Sequence, residues 1–168
     1  MLKLHVLAAV LLTPGMSLAA PAVTGAQAQC QSSIETRNER IVSRAFARWA
    51  AGGSGFFEEL LAPDVVWTIK GSGPSAGVYR SRRDFLDRAV RPFGSRLARP
   101  VRPTVRDIWS KGDKVVVHWD GQGTARDGLA YRNSYVWIFR MRGGRVAEAT
   151  AFLDLVPYDD VLRRITAH

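Results

Sequence analysis

Apolar residues recur at helical spacing in the part of the chain that follows residue 34. Ser32-Ser33-Ile34-Glu35 has the form of a capping box, which predicts that a helix begins there. Gly52-Gly53 is a stop signal for this helix. The apolar residues between these two points are Ile41, Val42, Ala45, Phe46, Trp49 and Ala50. They fall on one face at the helical period while arginines take the other, which predicts an amphipathic helix packed against a core.

Two shorter helices and one strand are predicted before the pattern changes. The run Phe56–Leu61 carries apolar residues at helical spacing, and this helix ends at Pro63. Val65–Lys70 is β-branched and aromatic, which predicts a strand. Ser81 is placed to cap a third helix, which Pro92 ends or kinks.

From residue 104 onward the period changes from helical to alternating, which predicts a series of strands. The predicted strands are Thr104–Ser110, Lys114–Gln122, Tyr131–Met141 and Arg145–Leu155. Glycine-containing turns separate successive strands, and a short helix over Asp159–Ile165 closes the chain. Helices followed by a long antiparallel meander predict an α+β domain, with about three helices against one face of an antiparallel sheet.

The alternation within the last two strands predicts which side chains share a face. In the strand Tyr131–Met141, one face is aromatic with a single amide among the rings. Its residues are Tyr131, Asn133, Tyr135, Trp137 and Phe139. In the following strand, Phe152 shares a face with Glu148, Thr150 and Asp154, opposite a face of small apolar residues. A solvated surface explains Glu148 and Thr150 well and Phe152 less well, so this face is a candidate for part of a site.

The N-terminal segment does not follow the pattern of the domain. Lys3 precedes the short apolar run Val6–Leu12, and a stretch rich in small residues extends to Ala28. The run is too short to span a bilayer, and this arrangement is typical of a signal peptide. We expect cleavage after Ala28, with Ala19 as a second choice.

The chain of 168 residues is long enough for one domain with its own core. The predicted division is a cleaved signal peptide over 1–28, a flexible arm over 29–34 and a single domain over 35–168. Export makes the protein periplasmic or secreted. Cys30 is the only cysteine, so no disulfide within the chain is expected.

The charge of the chain is strongly basic, with a formal net charge of +9. Nine arginines crowd the stretch 80–106, and such a region could bind nucleic acid or an anionic surface. Export removes the protein from most nucleic acid, and the preference for arginine over lysine indicates a compositional bias. We therefore expect no specific nucleic-acid partner and no membrane span.

Metal and cofactor motifs are not found in the sequence. His118 is the only histidine inside the predicted domain apart from the terminal His168, whereas zinc sites need three or four ligands at recurring spacings. No P-loop or dinucleotide fingerprint occurs either. The expectation is a protein without metal or organic cofactor.

The order of elements and a few short motifs resemble a known family. Helix, helix, strand with a Gly-rich loop and helix are followed by Tyr131-x-Asn133-x-Tyr135, then Gly144-Arg145-Val146, then Phe152-Leu153-Asp154. This succession, from Glu35 to the C-terminus, resembles the SnoaL-like polyketide cyclases. They belong to the nuclear transport factor 2-like superfamily, with ketosteroid isomerase and limonene epoxide hydrolase.

The resemblance implies a fold and a pocket. A curved sheet would wrap around the helices as a cone-shaped α+β barrel, with an apolar pocket for a small apolar ligand at its wide end. Members commonly pair through the outer sheet face, so a homodimer is expected. The residues expected to wall the pocket and bind substrate are Phe46, Trp49, Trp67, Tyr135, Trp137 and Phe152.

The resemblance also implies candidate catalytic residues. Asp154 matches the acid near the end of the last strand that donates or accepts a proton in the cyclase and epoxide hydrolase branches. Asn133 could donate a hydrogen bond to a substrate carbonyl, with Tyr131 or Tyr135 as a second donor. Two alternatives stay open: Asp154 could cap the exit of the chain in solvent, and Asn133 could be a core amide satisfied by backbone.

The departures from the family's enzymes limit the inference about activity. No acid stands near Thr68 or Ile69, where the aspartate base of ketosteroid isomerase would fall. The stretch His118-Trp119-Asp120 lacks the Arg-x-Asp pair of limonene epoxide hydrolase, although its histidine and aspartate share a face as either a proton-transfer pair or a solvated surface. The hypothesis is an exported protein that binds a small apolar molecule and, if it is an enzyme, isomerises, cyclises or hydrolyses it by acid-base chemistry. The alternative is a non-catalytic ligand-binding or dimerising module of the same fold.

Overall fold

The computed structural model describes residues 25–166. Its helices are α1 Gly25–Ala50, α2 Phe56–Leu60, α3 Arg82–Phe85, α4 Arg91–Gly94 and α5 Leu155–Arg164, with a π-helical turn at Leu86–Val90 between α3 and α4. The predicted signal peptide lies outside the described residues, except that residues 25–28 belong to α1. Among the described helices, none combines the length and the apolar character needed to cross a membrane.

Helix α1 begins earlier than its capping box predicts. Residues 29–34, predicted as a flexible arm, lie inside the helix. The Ser33 hydroxyl donates to the Cys30 carbonyl at 2.7 Å and the Thr36 hydroxyl donates to the Ser32 carbonyl at 2.9 Å. Because these hydroxyls bond back to carbonyls of the same helix, they do not cap a helix start. The predicted apolar face is confirmed farther along, where Val42 and Phe46 are buried.

The sheet has six strands in the order β2-β1-β6-β5-β4-β3. The strands are β1 Leu61–Ile69, β2 Gly77–Tyr79, β3 Leu97–Lys111, β4 Lys114–Ala125, β5 Ala130–Arg142 and β6 Arg145–Leu153. Strands β3 to β6 form the predicted antiparallel meander. The expectation of a wholly antiparallel sheet is wrong, because β1 pairs with β6 in parallel and the sheet is mixed. The meander starts at β3, on the edge of the sheet opposite β2, and each strand reverses direction until β6 lies beside β1. With this starting direction, β6 runs parallel to β1.

Three strands differ from the sequence prediction. Strand β1 begins at Leu61 rather than Val65, so the preceding helix ends at Leu60 and Pro63 lies in the strand. Strand β2 is a three-residue edge strand that was not predicted. Strand β3 begins at Leu97 rather than Thr104 and includes Pro100 and Pro103. Proline lacks the N–H that a sheet ladder needs, and β3 tolerates two of them because it is an edge strand.

The helices cover one face of the sheet, and the core lies between them. The predicted aromatic face of β5 is confirmed, since all five of its residues from Tyr131 to Phe139 are buried. In β6 the small residues Ala149 and Ala151 point to the same core. Phe152 consequently points to the outer face, where 46% of it is exposed.

Candidate functional site

A cavity of about 410 Å³ opens between the helices and the concave face of the sheet. This volume lies within the range of small-molecule sites in proteins, about 300–1,000 Å³. Four tryptophans and a tyrosine contribute to its wall: Trp49, Trp67, Trp119, Trp137 and Tyr135. Its exposed lining residues, which include the turn 52–54 after α1, Glu58, Arg91 and Arg102, define the mouth.

The cavity exists because one strand supplies small side chains where its neighbours supply large ones. Ala151 of β6 lies directly opposite Trp137 of β5 and Ile69 of β1 in the sheet, and all three line the cavity. Leu153 continues the same wall toward the end of β6. An alanine among large residues leaves space that the rings do not fill.

Parallel ring pairs hold the aromatic wall in place. The rings of Trp119 and Tyr135 stack with centroids 3.9 Å apart and an interplanar angle of 4°. Trp67 and Phe85 stack at 4.2 Å and 15°. Such pairs contribute about 0.5–1.5 kcal/mol beyond the burial of their area. These pairs make the wall rigid. The Trp137 ring stands nearly perpendicular to those of Trp67 and Trp119, at 85° and 74°, so the wall combines ring faces and ring edges, which suits an apolar molecule with aromatic rings.

A buried hydrogen-bond chain ends at the cavity. The Asn133 side-chain amide donates to the Tyr131 hydroxyl at 3.0 Å, and the hydroxyls of Tyr131 and Tyr135 are 2.6 Å apart. Of these three residues, Tyr135 lines the cavity. The two hydroxyls carry two protons, and the hydrogen bond between them uses only one. The other proton is left for another acceptor.

The burial of the pair decides which hydroxyl keeps the spare proton. If Tyr135 donated to Tyr131, the Tyr131 proton would have no acceptor in the described core, which costs about 1–3 kcal/mol. If Tyr131 donates to Tyr135, the spare proton lies on the ring that lines the cavity. An acceptor in the cavity would therefore favour the order from Asn133 through Tyr131 to Tyr135, with the Tyr135 hydroxyl as its donor.

Both hydroxyls remain protonated at neutral pH. Burial raises the pKa of Tyr131 to about 12, against weaker opposing effects of its hydrogen bonds. Burial also raises the pKa of Tyr135 well above its ordinary value of 10. At neutral pH, Tyr135 is thus a hydrogen-bond donor and not a base.

Two further donors of the wall have no acceptor. The indole N–H groups of Trp67 and Trp119 are buried and make no hydrogen bond within residues 25–166. A buried tryptophan N–H usually finds a partner. Both N–H groups are covered by neighbouring protein atoms, so they do not face the cavity.

Asp154 does not line the cavity. It is exposed and caps α5, where its carboxylate accepts a hydrogen bond from the Val156 N–H at 2.9 Å. Helix α5 begins at Leu155 rather than Asp159, so the end of β6 becomes a helix cap. The expectation that Asp154 stands at the pocket mouth beside Phe152 is corrected in favour of the capping alternative.

Asn133 is satisfied by backbone, as its alternative proposed. Its amide donates to the Asp154 carbonyl at 2.7 Å and its side-chain oxygen accepts from the Asp154 N–H at 3.1 Å. Asn133 thereby ties β5 to the start of α5 and orients Tyr131. Neither Asn133 nor Tyr131 is part of the cavity wall, so the structure places both behind Tyr135.

The six expected wall residues divide between the cavity, the core and the outer face. Trp49, Trp67, Tyr135 and Trp137 line the cavity. Phe46 is only 1% exposed and lies in the core behind the wall, with its ring 5.7 Å from that of Trp119. Phe152 lies on the outer face because the small residues of β6 take the inner one.

His118 and Asp120 share the outer face, away from the cavity. Asp120 accepts hydrogen bonds from Ser134 and Arg106, both at 2.7 Å. Both bonds lower the pKa of the Asp120 carboxyl, and the bond from Ser134 has the larger effect. The solvated-surface alternative therefore fits this pair better than proton transfer.

The helical segment from residue 82 to 94 supplies wall residues that were not predicted. Val90 lies in the predicted helix, whereas Phe93 lines the cavity because the helix continues through Pro92. Tyr158 of α5 donates from its hydroxyl to the Ala89 carbonyl of the π-helical turn at 3.0 Å. The stacking of Phe93 on Tyr158, with centroids 4.3 Å apart, joins the two elements. The helical spacing of apolar residues that begins at Phe85 indicated this segment. Because Pro92 was expected to end or kink the helix, the continuation to Phe93 was missed.

In the described ranges no three His, Cys, Asp or Glu side chains come together as metal ligands would. The expectation of no metal or cofactor stays a prediction.

The chain matches a family of known sequences. The model of the SnoaL-like domain family matches residues 42–149, which is more than half of the chain. This match spans most of the cavity wall, from α1 to β6. A comparison with curated proteins found no match.

Solved structures share the fold at low sequence identity. Bal32a, from a soil-derived mobile gene cassette, is 19% identical with a TM-score of 0.65, over 77% of this chain and 99% of that one. A proposed SnoaL-like polyketide cyclase from Jannaschia sp. CCS1 is 20% identical with a TM-score of 0.62, over 79% and 96%. TerC, co-crystallised with polyporic acid, is 18% identical with a TM-score of 0.62, over 76% and 98%. At these identities the likeness concerns the fold.

Proposed function

Because the chain belongs to the SnoaL-like domain family, in the nuclear transport factor 2-like superfamily, we propose that it binds a small, flat, largely apolar molecule that carries an acceptor oxygen. The cavity is of suitable size and its wall is aromatic. TerC, whose structure shares the fold, was co-crystallised with polyporic acid, which supports a ligand in this cavity.

The observation that carries the proposal is the buried pair of tyrosine hydroxyls, 2.6 Å apart, of which Tyr135 belongs to the cavity wall. The chain from Asn133 through Tyr131 fixes this ring and leaves its proton for an acceptor in the cavity. The raised pKa keeps the hydroxyl protonated at any physiological pH. A ligand carbonyl is the simplest group that would satisfy it.

Binding explains the wall better than acid-base turnover does. Glu58, at the mouth, is the only carboxylate residue among the lining residues, and no histidine lines the cavity in the described part of the chain. A general base must lie within hydrogen-bond reach of the proton it removes. If the protein does turn a substrate over, Tyr135 would stabilise a developing oxyanion and the substrate would need to supply its own base.

The experiment compares 9-fluorenone with fluorene, which have the same three rings but differ by the carbonyl. The wild-type protein should bind fluorenone about fivefold more tightly, the worth of one neutral hydrogen bond. Tyr135→Phe should remove this preference, because phenylalanine keeps the ring and loses the donor. Quenching of tryptophan fluorescence measures both affinities, and their ratio cancels any general change in the variant.

Tyr79→Phe is the matched control. Tyr79 is also buried, but its hydroxyl donates to the Ser75 carbonyl and its ring does not line the cavity. This variant should keep the preference for fluorenone. If neither probe binds the wild-type protein, the ligand proposal is wrong, and an unchanged preference in Tyr135→Phe would remove this hydroxyl from the site.

We also propose that the outer sheet face binds a second copy of the chain. One row of side chains crosses all six strands on this face. The row consists of Trp109, Val116, Ile138, Thr150, Thr68 and Val78. We call it, together with the neighbouring Val136 and Phe152, the outer band.

The composition of the outer band suits a two-fold interface. Trp109 is 53% exposed and Phe152 46%, which is unusual for large apolar residues grouped on one surface. The ion pair of Arg106 with Asp120 lies on one side of the band and that of Arg140 with Glu148 on the other. A two-fold axis through the band would exchange these two sides, and each carries both signs of charge.

Phe152→Glu should convert the dimer to a monomer, because two carboxylates would be buried without partners. Native mass spectrometry of the chain expressed with its N-terminal segment measures the subunit count. The same spectrum tests the proposed export, since cleavage after Ala28 would give the mass of a chain that begins at Gln29. Val156→Glu, at a 78% exposed residue of α5 outside the band, should stay dimeric. A monomeric wild type would contradict the interface.

A further inference from the structure

The mouth of the cavity carries three charged side chains in different states. Arg91 is ion-paired with Asp87. The Arg102 side chain makes no hydrogen bond or ion pair with any residue in the described ranges, although it lines the cavity. Glu58 also lines the mouth and is not ion-paired with Arg102. Arg102 is thus the cation at the mouth whose donors are free.

The position of Arg102 is set by strand β3 and by Gly52. Val101, the preceding residue of β3, is buried in the cavity wall. The Arg102 guanidinium lies against the turn after α1, with its Nη2 atom 3.5 Å from where a Cβ of Gly52 would stand. Gly52 has φ +103°, a conformation in which a side chain is strained, so this face of the turn stays clear for the guanidinium.

Aromatic walls can bind either cationic ligands or neutral and anionic ones, and the charge at the mouth distinguishes between these two classes. Tryptophan-rich cavities bind organic cations through their ring faces, and they also bind flat neutral or anionic rings. Here the lining includes two arginines, of which Arg91 is already paired with Asp87, and one glutamate, and the whole chain has a formal net charge of +9. This balance disfavours a cationic ligand and favours an anionic one.

We propose that the mouth is an anion subsite, in which Arg102 binds a carboxylate or a similarly acidic oxygen group of the ligand. The ligand class is then a flat apolar acid, with its rings against the tryptophans, an acceptor oxygen at Tyr135 and its charge at the mouth. This inference rests on the proposed function, since it concerns the same cavity. Arginine suits the role because its fork of N–H donors matches a carboxylate.

The experiment adds one probe to the pair already described, 9-fluorenone-2-carboxylate. The wild-type protein should bind it about three- to fivefold more tightly than 9-fluorenone at low salt, the upper range for an exposed ion pair. Arg102→Gln should remove this difference and leave the affinity for neutral 9-fluorenone within about twofold. Added salt should shrink the difference in the wild-type protein, because screening acts on the charge alone.

Arg99→Gln is the charge-matched control. Arg99 lies on the same strand and is exposed, but it does not line the cavity. This variant loses the same unit of charge and should keep the preference for the carboxylate. A loss in both variants would indicate general attraction by the basic chain and would overturn the subsite.

The remaining outcomes separate the two proposals. If 9-fluorenone binds but the carboxylate binds no better, or Arg102→Gln changes nothing, the anion subsite is wrong while the cavity proposal stands. If no probe binds the wild-type protein, the proposed function itself fails. Thermal unfolding of Arg102→Gln checks that the residue does not act only by stabilising the end of α1, a role open to a cation at a helix C-terminus.

Discussion

Replacing Phe46 by alanine is expected to lower the free energy of unfolding by about 3–5 kcal/mol. Phe46 is 1% exposed, and its ring contacts those of four other residues. The centroid distances are 5.9 Å to Trp49, 5.0 Å to Phe56, 5.7 Å to Trp119 and 5.8 Å to Trp137. All four of these rings line the cavity, so they cannot all collapse into the space that the alanine leaves. Denaturant unfolding at one fixed chain concentration measures the loss.

Leu129→Ala is the control for this loss. Leu129 is 58% exposed in the turn between β4 and β5, so its truncation should change the free energy of unfolding by less than about 0.5 kcal/mol. The sequence predicted Phe46 as a ligand contact. That role would show as a loss of ligand affinity rather than a loss of stability. If Phe46→Ala kept its stability but lost affinity for 9-fluorenone, Phe46 would be a wall residue and its assignment to the core would be wrong.

The case of Phe46 shows how far helical periodicity reaches. The spacing of Val42, Phe46 and Trp49 correctly predicted the buried face of α1. The spacing did not predict how deeply each side chain lies. Residues one turn apart on a buried helix face can line the cavity or lie in the core behind its wall. Trp49 is half-buried and lines the cavity, whereas Phe46 does not. Depth depends on the elements that pack across the helix, which come from distant parts of the chain.

The fold was predictable where the pattern is local. The meander from β3 to β6 follows from alternation and glycine turns, and it matches the structure. The parallel pairing of β1 with β6 was not predictable in this way, because it joins strands that are far apart in sequence. The family resemblance was confirmed and implied the curved sheet, which no local pattern could have given.

The last strand shows why the candidate acid was misplaced. Alternation correctly separated Phe152 and Asp154 from the alanines. Alternation does not decide which of the two faces turns inward, because it shows only that the two sets of side chains point in opposite directions. A large apolar residue usually indicates the core, and Phe152 is an exception because it belongs to the outer band. Asp154 follows the strand into the cap of α5.

Ala151→Phe is expected to abolish binding of 9-fluorenone. Ala151 is 2% exposed, lines the cavity and lies opposite Trp137 in the sheet. A phenyl ring at this position would occupy the space in which the probe's rings would lie. Overpacking a full core costs about 1–3 kcal/mol, but here a cavity lies beside the new ring and lowers that cost. Circular dichroism should show the wild-type fold, and tryptophan fluorescence should show no quenching by the probe.

Thr150→Phe tests whether position, and not the added ring, is responsible. Thr150 is the adjacent residue of the same strand, and its side chain points to the outer face. This variant should bind 9-fluorenone as the wild-type protein does, because the cavity is unchanged. If both variants bind the probe equally well, the probe does not occupy the cavity. Loss of binding in Ala151→Phe alone would place the ligand between β6 and the aromatic wall, where alanine in place of a larger residue makes the room.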